Sequence, residues 1–180
     1  MPEPTDLVTE PSMAPATVRT AFGEAARQFL DVVGQIGDDQ WQSPALGEWN
    51  VRDLVGHTVH SMTNLERYSE QAPATADISS TAESYALATK PVYGSASERV
   101  GTTQGDPVSI AHTGKDVGKA LGNDPFREAT GVVYRVLAFP ESLSNEAIMG
   151  TRVGGLRIKH SLPMRVFDVT IHTLDLGQRH

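Results

Sequence analysis

The pattern that most constrains the fold is a recurrence of apolar residues at spacings of three and four between Thr17 and Ile36. This spacing places the apolar side chains on one face of an amphipathic α-helix. The residues on this face are Val18, Phe22, Ala25, Phe29, Val33 and Ile36. Gly37 follows directly and suits the end of a helix. The folded part of the chain is therefore predicted to begin with a long amphipathic helix.

A second helix is predicted to begin after Asn50, because asparagine suits a helix N-cap and Asp53 would lie in the first turn. The connector before it is rich in turn residues, and we expect its two tryptophans, Trp41 and Trp49, to anchor it. The helix should end before Pro73. The residues on one side of this helix are Leu54, His57, Thr58, Ser61, Met62 and Leu65.

The middle of the chain has weaker patterns. Three shorter helices are predicted there, over Ala82–Lys90, Val108–Leu121 and Asp124–Ala138. Small, polar or glycine-rich stretches at 72–82 and 94–106 are predicted to be loops. Three glycines between residues 150 and 155 favour a long loop over residues 141–160.

The last segment, Leu162 to Gln178, fits two structures. Phe167, Val169 and Ile171 alternate with polar residues, as in a β-strand. The same segment also has an apolar stripe at helical spacing, and about 17 residues is long for a strand. Length favours the helix, with Pro163 in its first turn.

Composition limits the classes of protein that the chain can belong to. The chain has 180 residues, 39% of them apolar, which suits one packed domain. Residues 1–16 contain four prolines and are predicted to be a flexible leader, followed by one domain over 17–180. The formal charge of −7 argues against binding to nucleic acid or to an anionic membrane. No run is long and apolar enough to span a membrane, and a cytoplasmic location is the simplest expectation.

Cysteine is absent from the chain. This excludes disulfides, thiolate metal ligands and a thiol nucleophile of the protein itself. Candidate chemistry therefore rests on His57, Asp168 and His172. If the last segment is a helix, the Cβ atoms of Asp168 and His172 lie about 5–6 Å apart and both side chains can bind one metal ion. In a strand they would lie roughly 13 Å apart and could not.

His57 would supply a third ligand from the second helix, and such a three-ligand set leaves coordination positions open for water or substrate. His60 follows His57 by three residues, so these two histidines form a rival ligand pair. The alternative for each histidine is an ordinary structural role, hydrogen-bonded in the core or solvated at the surface.

Two segments together resemble the DinB-like superfamily, in its actinobacterial branch typified by the amino-terminal domain of mycothiol-dependent maleylpyruvate isomerase. The first segment, Trp49 to His57, reads WNVRDLVGH, and the second, Arg165 to Leu176, reads RVFDVTIHTLDL. The resemblance implies an all-α fold, a DinB-like four-helix bundle with long loops. It also implies a divalent metal, most often zinc, bound by His57, Asp168 and His172.

The chain departs from the family pattern in two respects. The family's usual glutamate is replaced by Asp168, whose shorter side chain reaches less far toward a metal held by both histidines. The isomerase also has a further carboxy-terminal domain that contributes to its active site. The resemblance therefore implies a site for a metal and a thiol, and does not imply maleylpyruvate isomerisation.

The first functional hypothesis is a metal-dependent transferase or isomerase that uses mycothiol or a similar thiol on a small electrophilic substrate. His60, Arg165 and Asp175 are candidates to orient the ligands or the substrate. The second hypothesis is a non-catalytic ligand-binding or stress-associated module with a degenerate metal site. Hydrolysis by a metal-bound water, without a thiol, is a third. The resemblance also suggests a homodimer.

Overall fold

A computed structural model describes residues 14–71, 75–89, 107–139, 143–151 and 153–178. The described chain is mainly helical. Its six helices and two strands are, in chain order, α1 (Pro15–Val33), α2 (Val51–Glu70), α3 (Thr81–Thr89), α4 (Pro107–Ala120), α5 (Pro125–Ala138), β1 (Ile148–Thr151), β2 (Gly154–Arg157) and α6 (Ile158–Gly177). The five predicted helices and the helical interpretation of the last segment are thus confirmed. However, α1 begins at Pro15, inside the predicted leader, and ends at Val33, before the predicted stop at Gly37. The predicted leader lies largely in residues 1–13, and the predicted 94–106 loop lies wholly in 90–106, outside the described residues.

Two helices begin at side-chain caps, and the sequence predicts the first of them. Asn50 accepts a hydrogen bond from the backbone N–H of Asp53, and the carboxylate of Asp53 accepts one from the backbone N–H of Asn50. This reciprocal pair satisfies two N–H groups that an uncapped helix would leave without partners. Asp124 caps α5 in a similar way, through the backbone N–H of Arg127. The two caps fix the first turns of α2 and α5.

The helices α1, α2, α5 and α6 pack against one another as a four-helix bundle. Their apolar faces meet in a core that includes Phe22 and Phe29 of α1, Leu54 of α2, Val133 of α5 and Leu176 of α6, each no more than 2% exposed. The bundle predicted from the resemblance is confirmed. None of the described helices is long and apolar enough to cross a membrane.

The fourth helix packs closely along α2 through glycines. A Cβ atom at Gly56 would lie 2.2 Å from the backbone nitrogen of Gly118 and 2.6 Å from the carbonyl oxygen of Gly114. Side chains at these positions would keep the helices apart. The contact brings α4 beside Trp49, whose indole N–H donates to the carbonyl of Ala111.

The prediction of a long loop over residues 141–160 is wrong. Strands β1 and β2 form an antiparallel pair, in which Met149 lies opposite Leu156. Both of these side chains are buried, and Leu156 also bridges to Ile78. Gly154 has a φ of +135°, which residues with a side chain rarely adopt. Glycine at this position therefore suits the turn between β1 and β2.

The last helix begins earlier than predicted. It starts at Ile158, so Pro163 lies inside the helix rather than in its first turn. The backbone N–H groups of Ile158 and Lys159 donate to the carbonyls of Ala147 and Asn145. The segment before β1 therefore caps α6, and the start of the helix depends on a tertiary contact.

Candidate functional site

Two histidines from different helices meet at one place in the bundle. His57 lies in α2 and His172 in α6, and their ring centroids are 4.9 Å apart in an edge-to-face arrangement. The Trp49 ring lies on another side of His57, with ring centroids 4.6 Å apart. The α2 cap and the packing of α6 across α2 thus bring together residues that are more than 100 positions apart in sequence.

The environment of His57 keeps its imidazole neutral. Burial is the main cause that lowers the pKa of His57 to about 4, and the positive charges of His172, His60 and Arg165 lower it further. Its Nδ1 atom is buried, and no described group hydrogen-bonds to it. A neutral imidazole with an unpartnered buried nitrogen is a potential ligand for a metal or a hydrogen-bond partner for a bound molecule.

His172 is oriented by a carboxylate on its own helix. Its Nδ1 atom lies 3.3 Å from Oδ2 of Asp175, which is three residues further along. When Nδ1 carries the proton and donates to Asp175, Nε2 keeps its lone pair. The predicted role of Asp175 as an orienting residue fits this contact.

Asp168 lies within a second group of side chains. Its Oδ2 atom is 3.2 Å from the Arg165 guanidinium and 3.4 Å from the Ser61 hydroxyl. Arg165 also donates to the carbonyl oxygen and the hydroxyl of Ser61, at 3.1 and 2.9 Å. The three residues therefore form a network, here called the Arg165 network, that joins α2 to α6.

His60 lies at the edge of this network and is half-buried. Burial is the main cause that lowers its pKa, and the charges of Arg67 and Arg165 add to the effect. His60 is thus a partly buried histidine whose neutral form is favoured, one helical turn beyond His57 on α2. All six predicted residues lie in this region of α2 and α6.

The residues fit a divalent metal in part. Two imidazoles in ring contact, of which His57 is neutral and has an unpartnered buried nitrogen, are the donor chemistry that zinc prefers. Asp168 is held by Arg165 and Ser61. Within the described ranges, no three His, Asp or Glu side chains are grouped closely enough to hold a metal ion. The two histidines are in ring contact, but among the described residues Asp168 is not grouped with them closely enough to complete a three-ligand set.

Two residues of this region were not singled out from the sequence as part of a site. Ser61 follows His57 by four residues, and this spacing was the available signal that both share one face of α2. Trp49 was predicted only to anchor the connector, and its burial and hydrogen bond confirm that role. Its contact with His57 depends on the turn between the connector and α2.

The fold and the site define a helical bundle with a histidine-rich site between its second and last helices. The family model of the mycothiol maleylpyruvate isomerase N-terminal domain matches residues 22–177. The chain therefore belongs to this family, and the resemblance indicated by the two sequence motifs is confirmed.

The bundle is also similar to a crystal structure of the mycothiol-dependent maleylpyruvate isomerase, with a TM-score of 0.60 and 17% identity. The match covers 95% of this chain and 64% of that one, so the chain spans less than two thirds of the length of its structural relative. At this identity the likeness is one of fold. No protein of curated function matches the chain in sequence.

Proposed function

We propose that the chain binds a low-molecular-weight thiol, with mycothiol the first candidate, and transfers it to a small electrophile or isomerises that electrophile by thiol addition. A divalent metal, with zinc the first candidate, is the proposed cofactor. The observation that carries the proposal is the contact between His57, with its unpartnered buried nitrogen, and the ring of His172. Membership of a family named for a mycothiol-using isomerase supports the choice of thiol.

His57 and His172 are the residues that would hold the metal, and Asp168 is the proposed third ligand, whose carboxylate would have to leave Arg165 and Ser61 to reach it. A bound divalent cation lowers the pKa of a thiol and so favours the thiolate, which is the nucleophilic form. These 180 residues contain no cysteine, which fits a thiol supplied as a separate small molecule. Asp175 orients His172, and Trp49 shields one side of His57 from water.

Metal content is the first test. Protein purified without a histidine tag is analysed by mass spectrometry, as the wild type and as His172→Ala. We expect about one equivalent of zinc in the wild type and its loss in His172→Ala. His112→Ala is the matched control, because His112 is an exposed histidine on α4. Absence of metal from the wild type, with no uptake of added zinc or nickel, would refute the metal site.

Thiol chemistry is the second test. Metal-loaded protein is incubated with mycothiol and a panel of small electrophiles, and the loss of free thiol is followed. We expect consumption that depends on both metal and protein. Product formation without added thiol would instead indicate hydrolysis by a metal-bound water.

The second candidate function is a binding module without catalysis. One observation favours it: the carboxylate of Asp168 is already paired with Arg165 and in contact with Ser61. Tight binding of a thiol or an electrophile, with no turnover under any divalent metal, would support this function over the first.

A further inference from the structure

Arg165 is enclosed more fully than is usual for an arginine, with 14% of its side chain exposed. It is anchored to α2 through two acceptors on one residue, the backbone carbonyl and the hydroxyl of Ser61. A hydrogen bond to a backbone carbonyl fixes the guanidinium relative to the helix itself. The position of Arg165 is therefore set by α2, although the residue belongs to α6.

The fixed guanidinium holds Asp168. Its Nη2 atom pairs with Oδ2 of Asp168 at 3.2 Å, while Nη1 contacts Ser61. Arginine stays protonated throughout the working pH range, so this attraction is present whenever Asp168 is ionised. A carboxylate that binds a metal must offer its lone pairs to the cation, and Asp168 has one methylene group fewer than glutamate with which to reach it.

We propose that Arg165 competes with the metal for the carboxylate of Asp168 and thereby sets the metal affinity of the site. The inference rests on the proposed function, since it concerns the same metal site. Arg165 is a positioning residue that acts through Asp168. Metal binding by the wild type then includes the cost of breaking the pair between Arg165 and Asp168, and removal of the guanidinium tightens binding.

The test measures zinc affinity by competition with a chromophoric chelator, without any assay of catalysis. The variants are Arg165→Gln, Asp168→Asn and the double substitution, each compared with the wild type. We expect Arg165→Gln to tighten zinc binding by about tenfold, the scale of one charge-assisted hydrogen bond that no longer has to be broken. In the Asp168→Asn background the same substitution should change the affinity by less than about twofold, because the carboxylate under competition is gone.

This cycle separates competition from simple repulsion between two cations. Repulsion between Arg165 and the metal would be relieved equally in both backgrounds. Arg67→Gln is the matched control for loss of a nearby positive charge, since Arg67 contacts Asn64 and Tyr68 and also lowers the pKa of His60. We expect little change in zinc affinity from Arg67→Gln.

Ser61→Ala provides a second route to the same result if Arg165→Gln folds poorly. It removes the hydroxyl that contacts both Arg165 and Asp168, so zinc binding should tighten, by less than in Arg165→Gln. Thermal unfolding of each metal-free variant confirms that it is folded.

The outcomes distinguish the inference from the proposed function. Zinc binding that requires His57 and His172, yet is equally tight in the wild type and Arg165→Gln, would overturn the inference alone. Equal tightening with and without Asp168 would also overturn it alone. No zinc binding by any variant would overturn the inference and the metal site together.

Discussion

At the scale of the residue, His57 makes the stability of the metal-free protein depend on pH. Its pKa in the folded protein is about 4, below the value of about 6.5 for an unperturbed histidine. Between these values the unfolded chain takes up a proton that the folded protein does not. The contribution of neutral His57 to the free energy of unfolding is therefore fully present above about pH 6.5. It is lost as the pH falls toward 4.

We expect His57→Gln to reduce this loss, by on the order of 2 kcal/mol between about pH 7 and about pH 4. The measurement is urea unfolding of metal-free protein across this range, and His112→Gln is the control at an exposed histidine. An identical pH dependence in His57→Gln and the wild type would show that protonation of His57 does not limit stability at acid pH.

The sequence predicted the members of the candidate site better than their contacts. The sequence could predict that Asp168 and His172 share one face of a helix, because a helix repeats every 3.6 residues. The same repeat predicted the place of His57 on α2. The pairing of Asp168 with Arg165, three residues earlier on α6, follows the same helical spacing, but the contact of both residues with Ser61 could not be predicted. It depends on how far α6 slides along α2, which is set by packing between distant parts of the chain.

At the scale of the element, the contact between α2 and α4 depends on the absence of a side chain at Gly56. Alanine there would place a Cβ atom 2.2 Å from a backbone nitrogen of α4. Backbone atoms cannot rotate away as a flexible side chain can, so the helices must separate. We expect Gly56→Ala to lower the free energy of unfolding by at least about 2 kcal/mol, measured by chemical denaturation.

Gly131→Ala is the matched substitution for this comparison. Gly131 lies inside α5, is exposed, and has open space where a Cβ atom would be placed. Alanine favours the helix at both positions, so Gly131→Ala should stabilise the protein by about 0.5–1 kcal/mol. Equal effects of the two substitutions would contradict the close packing of α2 and α4.

The cap of α2 gives a separate prediction at this scale. Asn50 accepts from the N–H of Asp53, so Asn50→Ala removes one half of the reciprocal cap. We expect a loss of about 1 kcal/mol in the free energy of unfolding. Asn50→Ser keeps an acceptor at the same position and should cost less. Thermal or chemical unfolding of the two variants checks the difference.

The sequence predicted the described helices but not the hairpin, because helix signals are local in sequence whereas this hairpin is stabilised by distant contacts. Helices such as α2 carry their signal locally, in apolar spacing and a side-chain cap. Strand β2 reads GGLR, which has little strand propensity of its own. Its pairing is stabilised by the burial of Met149 and Leu156 and by contact with Ile78, which is far away in sequence. Likewise, α6 begins at Ile158 because carbonyls near Ala147 accept its first N–H groups.

At the scale of the whole molecule, the site joins the two halves of the bundle. His57 comes from the first half of the chain and His172 from its end, and Arg165 links α6 to Ser61 of α2. A ligand bound by both histidines would contact two helices that separate on unfolding. Such a ligand binds the folded protein far better than the unfolded chain, so its binding free energy adds to the stability of the whole bundle.

Zinc should therefore raise the unfolding temperature of the wild type. At a free concentration of about 100 times its dissociation constant, a ligand adds about 2.7 kcal/mol to stability. For a domain of this length that corresponds to a rise of roughly 5–10 °C, measured by calorimetry. His57→Ala and His172→Ala should each abolish most of the rise, because each leaves one helix without its ligand. Magnesium, which prefers oxygen ligands, should have little effect on the wild type. A rise of equal size in His172→Ala would place the zinc away from α6, and the bundle would then be stabilised without the link between its two halves.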